Sequence, residues 1–296
     1  MKRLLIIGCG DIARRTIPLL RRRYKVFALV RNDTRSAGLK ELGVTLVPGD
    51  LDVRASLSRI AGIADEVLHL APPPNTGAVD IRTRNLLSAL TQTALPGKFI
   101  YISTSGVYGD CGGAWVNETR RLNPQSARAQ RRVDAELQIR CWASRNGVQA
   151  GILRVPGIYA EDRLPLERLR AGMPAIMAEE DSYTNHIHAD DLARIIVAAL
   201  RYTKPNRVYH ASDDGVMKMG DYFDIVADAF RLSRPPRITR AEAQRVLPDS
   251  LLSFLNESRR LTNFRMKQEL QVRLHHPTVG NTLAHCALDP FAENRE

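Results

Sequence analysis

Cysteine is scarce in this chain of 296 residues. The four present, Cys9, Cys111, Cys141 and Cys286, form no Cys-x-x-Cys pair and none shares metal-ligand spacing with a histidine. A disulfide framework is therefore not what holds the fold, and free thiols in a reducing compartment are expected. Aromatic residues supply only 6% and do not interleave with basic ones, so a stacking platform for single-stranded nucleic acid is missing. No apolar run has the length that a bilayer-spanning helix needs, and no membrane partner is expected. Met1-Lys2-Arg3 leads straight into an apolar strand rather than a secretory signal, so a cytoplasmic location is expected. Repeats and low-complexity linkers are lacking too.

Negative charge is the minority: 32 acidic side chains face 43 basic ones, leaving a formal charge of +11. The basic residues are dispersed. Arg21-Arg22-Arg23 follows the first helical run, where cations complement the helix dipole, and Arg131-Arg132 and Arg259-Arg260 are separate pairs. Solvated helix faces account for most of this charge, and no nucleic-acid partner is expected.

The chain opens on its most informative stretch. Leu4-Leu5-Ile6-Ile7 reads as a strand, Gly8-Cys9-Gly10-Asp11-Ile12-Ala13 as a glycine loop entering a helix, and Tyr24–Val30 as a second strand. This is half of a dinucleotide-binding βαβ unit. Gly8 permits a tight turn, and Gly10 lets backbone amides reach a pyrophosphate. Asp11 and Ile12 open a helix whose N–H groups and positive dipole end face that phosphate. Ala13 stands where the fingerprint has a third glycine, and it is small enough for close helix–strand packing.

The second strand ends Val30-Arg31-Asn32-Asp33. An acid at that point ordinarily binds the ribose 2′-hydroxyl of NAD. The guanidinium of Arg31 suits a 2′-phosphate, so NADP is favoured, and Asp33 keeps NAD open.

Further strands follow at Val44–Val47, Glu66–Leu70, Phe99–Ile102, Val148–Leu153 and Arg207–His210, with helical stretches near 54–62, 78–93, 126–145 and 190–201. This alternation predicts an α/β fold, a Rossmann-type doubly wound parallel sheet. Right-handed crossovers place the strand ends on one edge, so Asp50, Leu51, Ala71, Pro72 and the Ser103-Thr104-Ser105 run should line a cofactor cleft. After Asp213 the strand signal fades into helical runs at Gly220–Arg231, Arg240–Val246, Asp249–Leu255 and Leu261–Leu274. Residues 1–161 with 186–215 are therefore expected to form the dinucleotide-binding domain. Residues 162–185 with 216–296 are expected to form a smaller, mostly helical C-terminal substrate lobe.

Later motifs narrow the comparison. Phe99–Asp110 (FIYISTSGVYGD) carries an SSxxVYGD-like strand and loop, and Trp115–Thr119 with Leu122-Asn123-Pro124 an xxExxPxxP-like one. Leu153–Tyr159 reads like LRxxxxYG, Asn185–Ala193 like IHVDDLA, and Val208–Asp213 like xYNVSD. In that order, across nearly the whole chain, these segments resemble the extended short-chain dehydrogenases/reductases, which include the NAD-dependent epimerases and dehydratases.

The resemblance implies site residues. Thr104 matches the family's catalytic Ser/Thr, with Ser105 as its neighbour, and either hydroxyl would hold a substrate oxygen. The alternative is that both merely close a βα loop. The family's Tyr-xxx-Lys pair has no counterpart, since no tyrosine here is followed four residues later by lysine. Arg128 falls in the tyrosine slot and Arg132 in the lysine slot. A guanidinium stays protonated and cannot serve as that acid, whereas Arg132 would still hold the nicotinamide ribose or a phosphate. Tyr108 is the nearest substitute phenol, although a tyrosine at this point more often belongs to the packed loop than to chemistry. Glu118 borders the substrate or is a surface carboxylate. His186 and His188 share a side if extended, but no third ligand sits at a recognisable spacing; no metal site is expected, and Asp190 or Asp191 should cap the following helix.

Three functions remain open at this point. The first is an NAD(P)-dependent oxidoreductase exchanging hydride with a small carbonyl or hydroxyl compound or a sugar-nucleotide-like substrate. The second is a non-catalytic NADP(H)-binding sensor or regulatory protein. The third, least favoured without the tyrosine, is a sugar-nucleotide epimerase or dehydratase. Relatives pair subunits through helices around 78–93 and 126–145, so monomer and homodimer both stay open.

Overall fold

The computed structural model describes residues 1–31, 37–248, 251–252 and 255–286. Its centre is a seven-stranded sheet made of β1 (Lys2–Ile7), β2 (Tyr24–Val30), β3 (Thr45–Pro48), β4 (Glu66–His69), β5 (Lys98–Thr104), β6 (Gln149–Val155) and β7 (Arg207–His210). The spatial order is β7-β6-β5-β4-β1-β2-β3, and every pairing is parallel. The chain winds outward from β1 to β3, then restarts at β4 on β1's other side. That reversal between β1 and β4 is the topological switch point, where open α/β sheets bind ligands beyond the strands' carboxyl ends.

The strands read as continuous apolar runs because both faces are covered. Successive side chains point to opposite faces. Leu5, Ile7, Phe27, Leu29, Val67, Phe99 and Tyr101 pack against the helices α3 (Ile81–Leu90) and α4 (Ala127–Asn146) and a 3₁₀ stretch at Arg54–Ile60. Leu4, Ile6, Val26, Ala28, Leu68, Ile100 and Leu153 pack against α1 (Asp11–Leu20) and α6 (Ala189–Tyr202). The short α2 (Ala37–Glu41) lies between β2 and β3. Helix ends are marked by their residues. Asp80 caps α3 by accepting from Thr83 N at 3.0 Å, Ser126 caps α4 from Ala129 N at 3.2 Å, and Gly147 ends α4 in the left-handed region at φ +67°.

A second body of helices stands over the strand edge: α5 (Leu166–Arg170), α7 (Met219–Ala229), α8 (Arg240–Val246) and α10 (Val279–Cys286). One small core joins Leu169, Ala175, Phe223, Val226, Val279 and Leu283, and another joins Ile176, Ala243, Leu247, Leu252 and Leu255. The expected boundary of the lobe needs correction. Helix α9 (Phe264–Glu269) returns to the sheet, burying Met266 and Leu270 against the α1/α6 face. The helical run expected over Leu261–Leu274 is confined to α9, because Arg260–Leu261 is a short strand paired in parallel with Trp115–Val116. The run expected near 54–62 is a 3₁₀ stretch. Of the run expected at Asp249–Leu255, residues 249–250 and 253–254 lie outside the described residues.

Candidate functional site

At the switch point the carboxyl ends of β1, β2, β3 and β4 open into a cleft of about 1100 Å³. Gly8, Gly10, Arg31, Asp50, Leu51, Ala71 and Pro72 line it as expected from the strand ends, joined by Arg14 and Arg82, which no motif marks. Gly8 has φ +90°, and a Cβ there would lie 2.4 Å from Ala71 N, so only glycine fits. At Gly10 a Cβ would meet nothing within 4 Å, and the backbone there faces open space. Gly10 is also the N-cap of α1 with no side chain bonded to the first turn, leaving that turn's N–H groups to an outside acceptor. These features fit a dinucleotide pyrophosphate.

Asp11 and Ile12 contribute through the helix backbone rather than as lining side chains. The Asp11 carboxylate turns aside to Arg15 at 3.0 Å and Arg163 at 3.1 Å, and Ile12 packs toward the α1/α6 core. At the β2–β3 end, Arg82 pairs with Asp52 at 2.7 Å and donates to the Pro72 carbonyl at 3.2 Å, closing one wall. Arg31 is exposed at the strand end. Asp33, the residue that kept NAD open, lies outside the described residues.

Further along the same edge, beyond β5 and β6, lies a second pocket of about 360 Å³. Thr104, Ser105, Arg128 and Arg132 border it on the sheet side, and Tyr183, His186, Tyr222, Glu257 and Arg259 on the other. Arg132 thus faces this pocket rather than the first, donating to Tyr101 Oη at 3.0 Å and the Ile102 carbonyl at 2.7 Å. Thr104 Oγ1 accepts from Gly106 N at 3.2 Å and caps the turn at 105–108. Ser105 Oγ accepts from Arg259 at 3.4 Å. Arg259 also donates to the Gly109 carbonyl at 2.8 Å and pairs with the half-buried Glu257 at 2.8 Å. His186 stacks on Tyr222 with ring centroids 4.3 Å apart, and burial pushes its pKa down to about 4, which keeps it neutral.

Several expectations are corrected. Tyr108 is only 1% exposed and does not line either pocket. Its hydroxyl accepts from Arg154 at 2.6 Å and lies 2.6 Å from His210 Nε2, and burial raises its pKa to about 12. That phenol is sealed into a polar network with Arg154, Glu136 and Ser103. Glu118 is neither a surface carboxylate nor a pocket residue, for it accepts from His210 N at 3.2 Å and faces Arg265 at 3.6 Å. The cap of α6 is His188, whose Nδ1 accepts from Asp190 N at 3.3 Å, while Asp191 is buried and ties down His275 N and His276 N. His188 stacks on His276 at 3.7 Å, and with Asp190 they bring ligand-type atoms within 4.8 Å of one another, though the Asp190 carboxylate is engaged by Arg15 at 2.8 Å. The paired arginines are not solvated helix charge either: Arg131 and Arg259 are buried, and Arg260 lies over the rings of Trp115 and Tyr183. Glu257 and Arg259 carried no usable sequence signal, since they reach the pocket from about 150 residues beyond Ser105.

Comparison with known proteins places this geometry. The chain is 24% identical over 215 residues to a GDP-6-deoxy-D-mannose reductase of Pseudomonas aeruginosa, covering 62% of this chain and 71% of the reductase. It is 25% identical over 220 residues to a dTDP-glucose 4,6-dehydratase of Mycolicibacterium smegmatis, covering 64% of this chain and 66% of the dehydratase. A functionally unknown conserved protein from Silicibacter pomeroyi superposes with a TM-score of 0.79 at 26% identity, over 97% of this chain and 98% of its own. The fold is shared with UDP-glucuronic acid 4-epimerase from Bacillus cereus, solved in complex with NAD, at a TM-score of 0.74 and 20% identity over 95% and 96% of the two chains. A family model covers residues 4–211, and on that match the chain belongs to the NAD-dependent epimerase/dehydratase family.

Proposed function

We propose that this protein is an NAD(P)-dependent oxidoreductase that exchanges hydride with a small carbonyl or hydroxyl compound. The observation that carries the reading is the adjacency of two pockets on one sheet edge, one with a glycine-loop cradle and one bordered by the hydroxyls of Thr104 and Ser105. Bound nicotinamide cofactor supplies the hydride chemistry. The Gly8–Gly10 loop and the first turn of α1 hold the pyrophosphate, while Asp50, Leu51, Ala71 and Pro72 wall the adenosine half and centre of the cleft. Arg31 selects the 2′-phosphate of NADP. In the second pocket Thr104 and Ser105 orient the reacting oxygen, and the guanidiniums beside them favour negative charge developing on it.

The curated relatives act on sugar nucleotides by name, which keeps a sugar-nucleotide-like substrate in view. The sensor reading is favoured by a different observation: among the described residues no lysine lines the second pocket, and Tyr108 is walled off from it. One experiment separates them. Purified protein is mixed with NADPH or NADH and a panel of carbonyl compounds, and the reduced-nicotinamide absorbance is followed. Turnover that Thr104→Ala lowers at least tenfold supports the enzyme. Tight cofactor binding with no turnover on any member favours the sensor.

A further inference from the structure

The second pocket is electrically lopsided. Three guanidiniums, those of Arg128, Arg132 and Arg259, border it, and among the described residues Glu257 is the one carboxylate in its lining. The remaining polar lining adds no negative charge, because Thr104, Ser105 and Asn185 are neutral and burial keeps His186 uncharged. Arg259 is 8% exposed, and its buried Nε has no hydrogen-bond partner among the described residues. Arg128 stands at the rim near the start of α4. Partial withdrawal from water pushes its pKa down, as do the guanidiniums of Arg132, Arg259 and Arg131, against the pull of Glu257. Like charges gathered in a small concave space cost free energy unless an anion joins them, and guanidiniums match oxyanions in geometry. The opposite side of the pocket is aromatic and apolar, built from Tyr222, Tyr183, Met219 and Ile158.

We infer that the second pocket takes a substrate carrying an oxyanion, a carboxylate or a phosphate, held by Arg128, Arg132 and Arg259 beside the hydroxyls of Thr104 and Ser105. The volume of about 360 Å³ suits a small compound of that class, with a short apolar or carbonyl-bearing body against the aromatic side. This deepens the oxidoreductase reading and rests on it for the word substrate. The anion site itself rests on the side chains alone.

The test uses the full chain at constant ionic strength. Dinucleotide binding is measured first by calorimetry. Inorganic phosphate and oxalate are then titrated separately, with the first cleft filled by saturating NADP and again without it. Both anions should bind the NADP-loaded protein saturably, and the tighter of the two tells phosphate from carboxylate. Arg128→Gln, a rim substitution, should weaken that binding at least tenfold while leaving NADP affinity within about twofold. Glu257→Gln removes the compensating carboxylate and should tighten anion binding several-fold, the reverse of what a merely structural ion pair would do. In turnover, a 2-oxo acid should exceed its amide in kcat/KM by at least tenfold, and Arg128→Gln should erase most of that preference. Absence of anion binding, or equal binding by wild type and both variants, overturns the inference. Failure of NADP to bind while Arg128→Gln still weakens phosphate overturns the oxidoreductase reading and leaves the anion site standing.

Discussion

Gly8 and Ala71 are in backbone contact: a methyl group on Gly8 would intrude to 2.4 Å from the Ala71 amide nitrogen. The loop after β1 and the end of β4 are therefore locked together at the place where the strand order reverses. Gly8→Ala should cost at least about 2 kcal/mol from the positive φ and the clash, lowering the melting temperature and nucleotide binding together. Gly10→Ala should behave differently, because its new methyl enters open space. Its melting temperature should stay near wild type while the dinucleotide Kd rises about tenfold or more. Thermal melts beside calorimetry check both. Equal loss of stability in the two variants would show that Gly10 is a folding residue and not part of a cradle.

Arg31 sits at the end of β2, in the mouth of the first cleft. Its removal as Arg31→Ala should raise the Kd for NADPH by roughly tenfold to a hundredfold, the range of a lost charge-assisted pair, and leave NADH nearly unchanged. Competition binding with the two cofactors measures the ratio. An unaltered ratio would remove the 2′-phosphate assignment.

Tyr108 and Thr104 are four residues apart but have different fates. Tyr108→Phe leaves the Arg154 guanidinium and His210 short of a buried partner and should destabilise the fold by about 1–3 kcal/mol, with kcat within about twofold of wild type. Thr104→Ala should lower kcat by at least tenfold at a stability cost near 1 kcal/mol from the lost cap. Denaturant titration paired with turnover checks the split. A kcat collapse in Tyr108→Phe would return the phenol to the chemistry.

Asp213 gives a pH dependence. It is buried, its Oδ1 accepts from Gly215 N at 3.0 Å, and its Oδ2 has no partner among the described residues. Burial raises its pKa to about 8 from an ordinary value of 3.8. The folded state then binds the proton more tightly than the unfolded state, so folding stability falls as pH rises between about 4 and 8. Asp213→Asn removes that slope. The stability of the variant relative to wild type should increase by about 4 kcal/mol between pH 5 and pH 9, roughly three pH units of slope at about 1.4 kcal/mol each. Parallel profiles would mean that Asp213 is ionised in the folded protein.

Legibility in the sequence followed locality. The strands of the sheet were readable because parallel strands covered on both faces must be apolar throughout, as Leu4–Ile7 and Phe99–Ile102 are. The first cleft was readable because its lining comes from short strand-end segments whose position follows from topology. The second pocket was half hidden. Thr104 and Ser105 lie on a strand end, but Glu257 and Arg259 arrive from a distant segment that pairs back near Trp115–Val116. Tyr108 could be read as a packed-loop residue or as a substitute acid, and the sequence did not decide between them for the same reason: the groups that draw its hydroxyl inward, Arg154 and His210, sit on β6 and β7. Charge alone misled at Arg131 and Arg259, whose burial depends on partners such as the Gly77 and Gly109 carbonyls that no local pattern announces.

The most direct test of the account is calorimetric titration of the wild-type chain with NADPH and NADH, with a thermal melt at each end point. Saturable one-to-one binding, tighter for NADPH, is expected, with a rise in melting temperature that grows with ligand concentration. No heat and no thermal shift at millimolar concentrations of either nucleotide would contradict it.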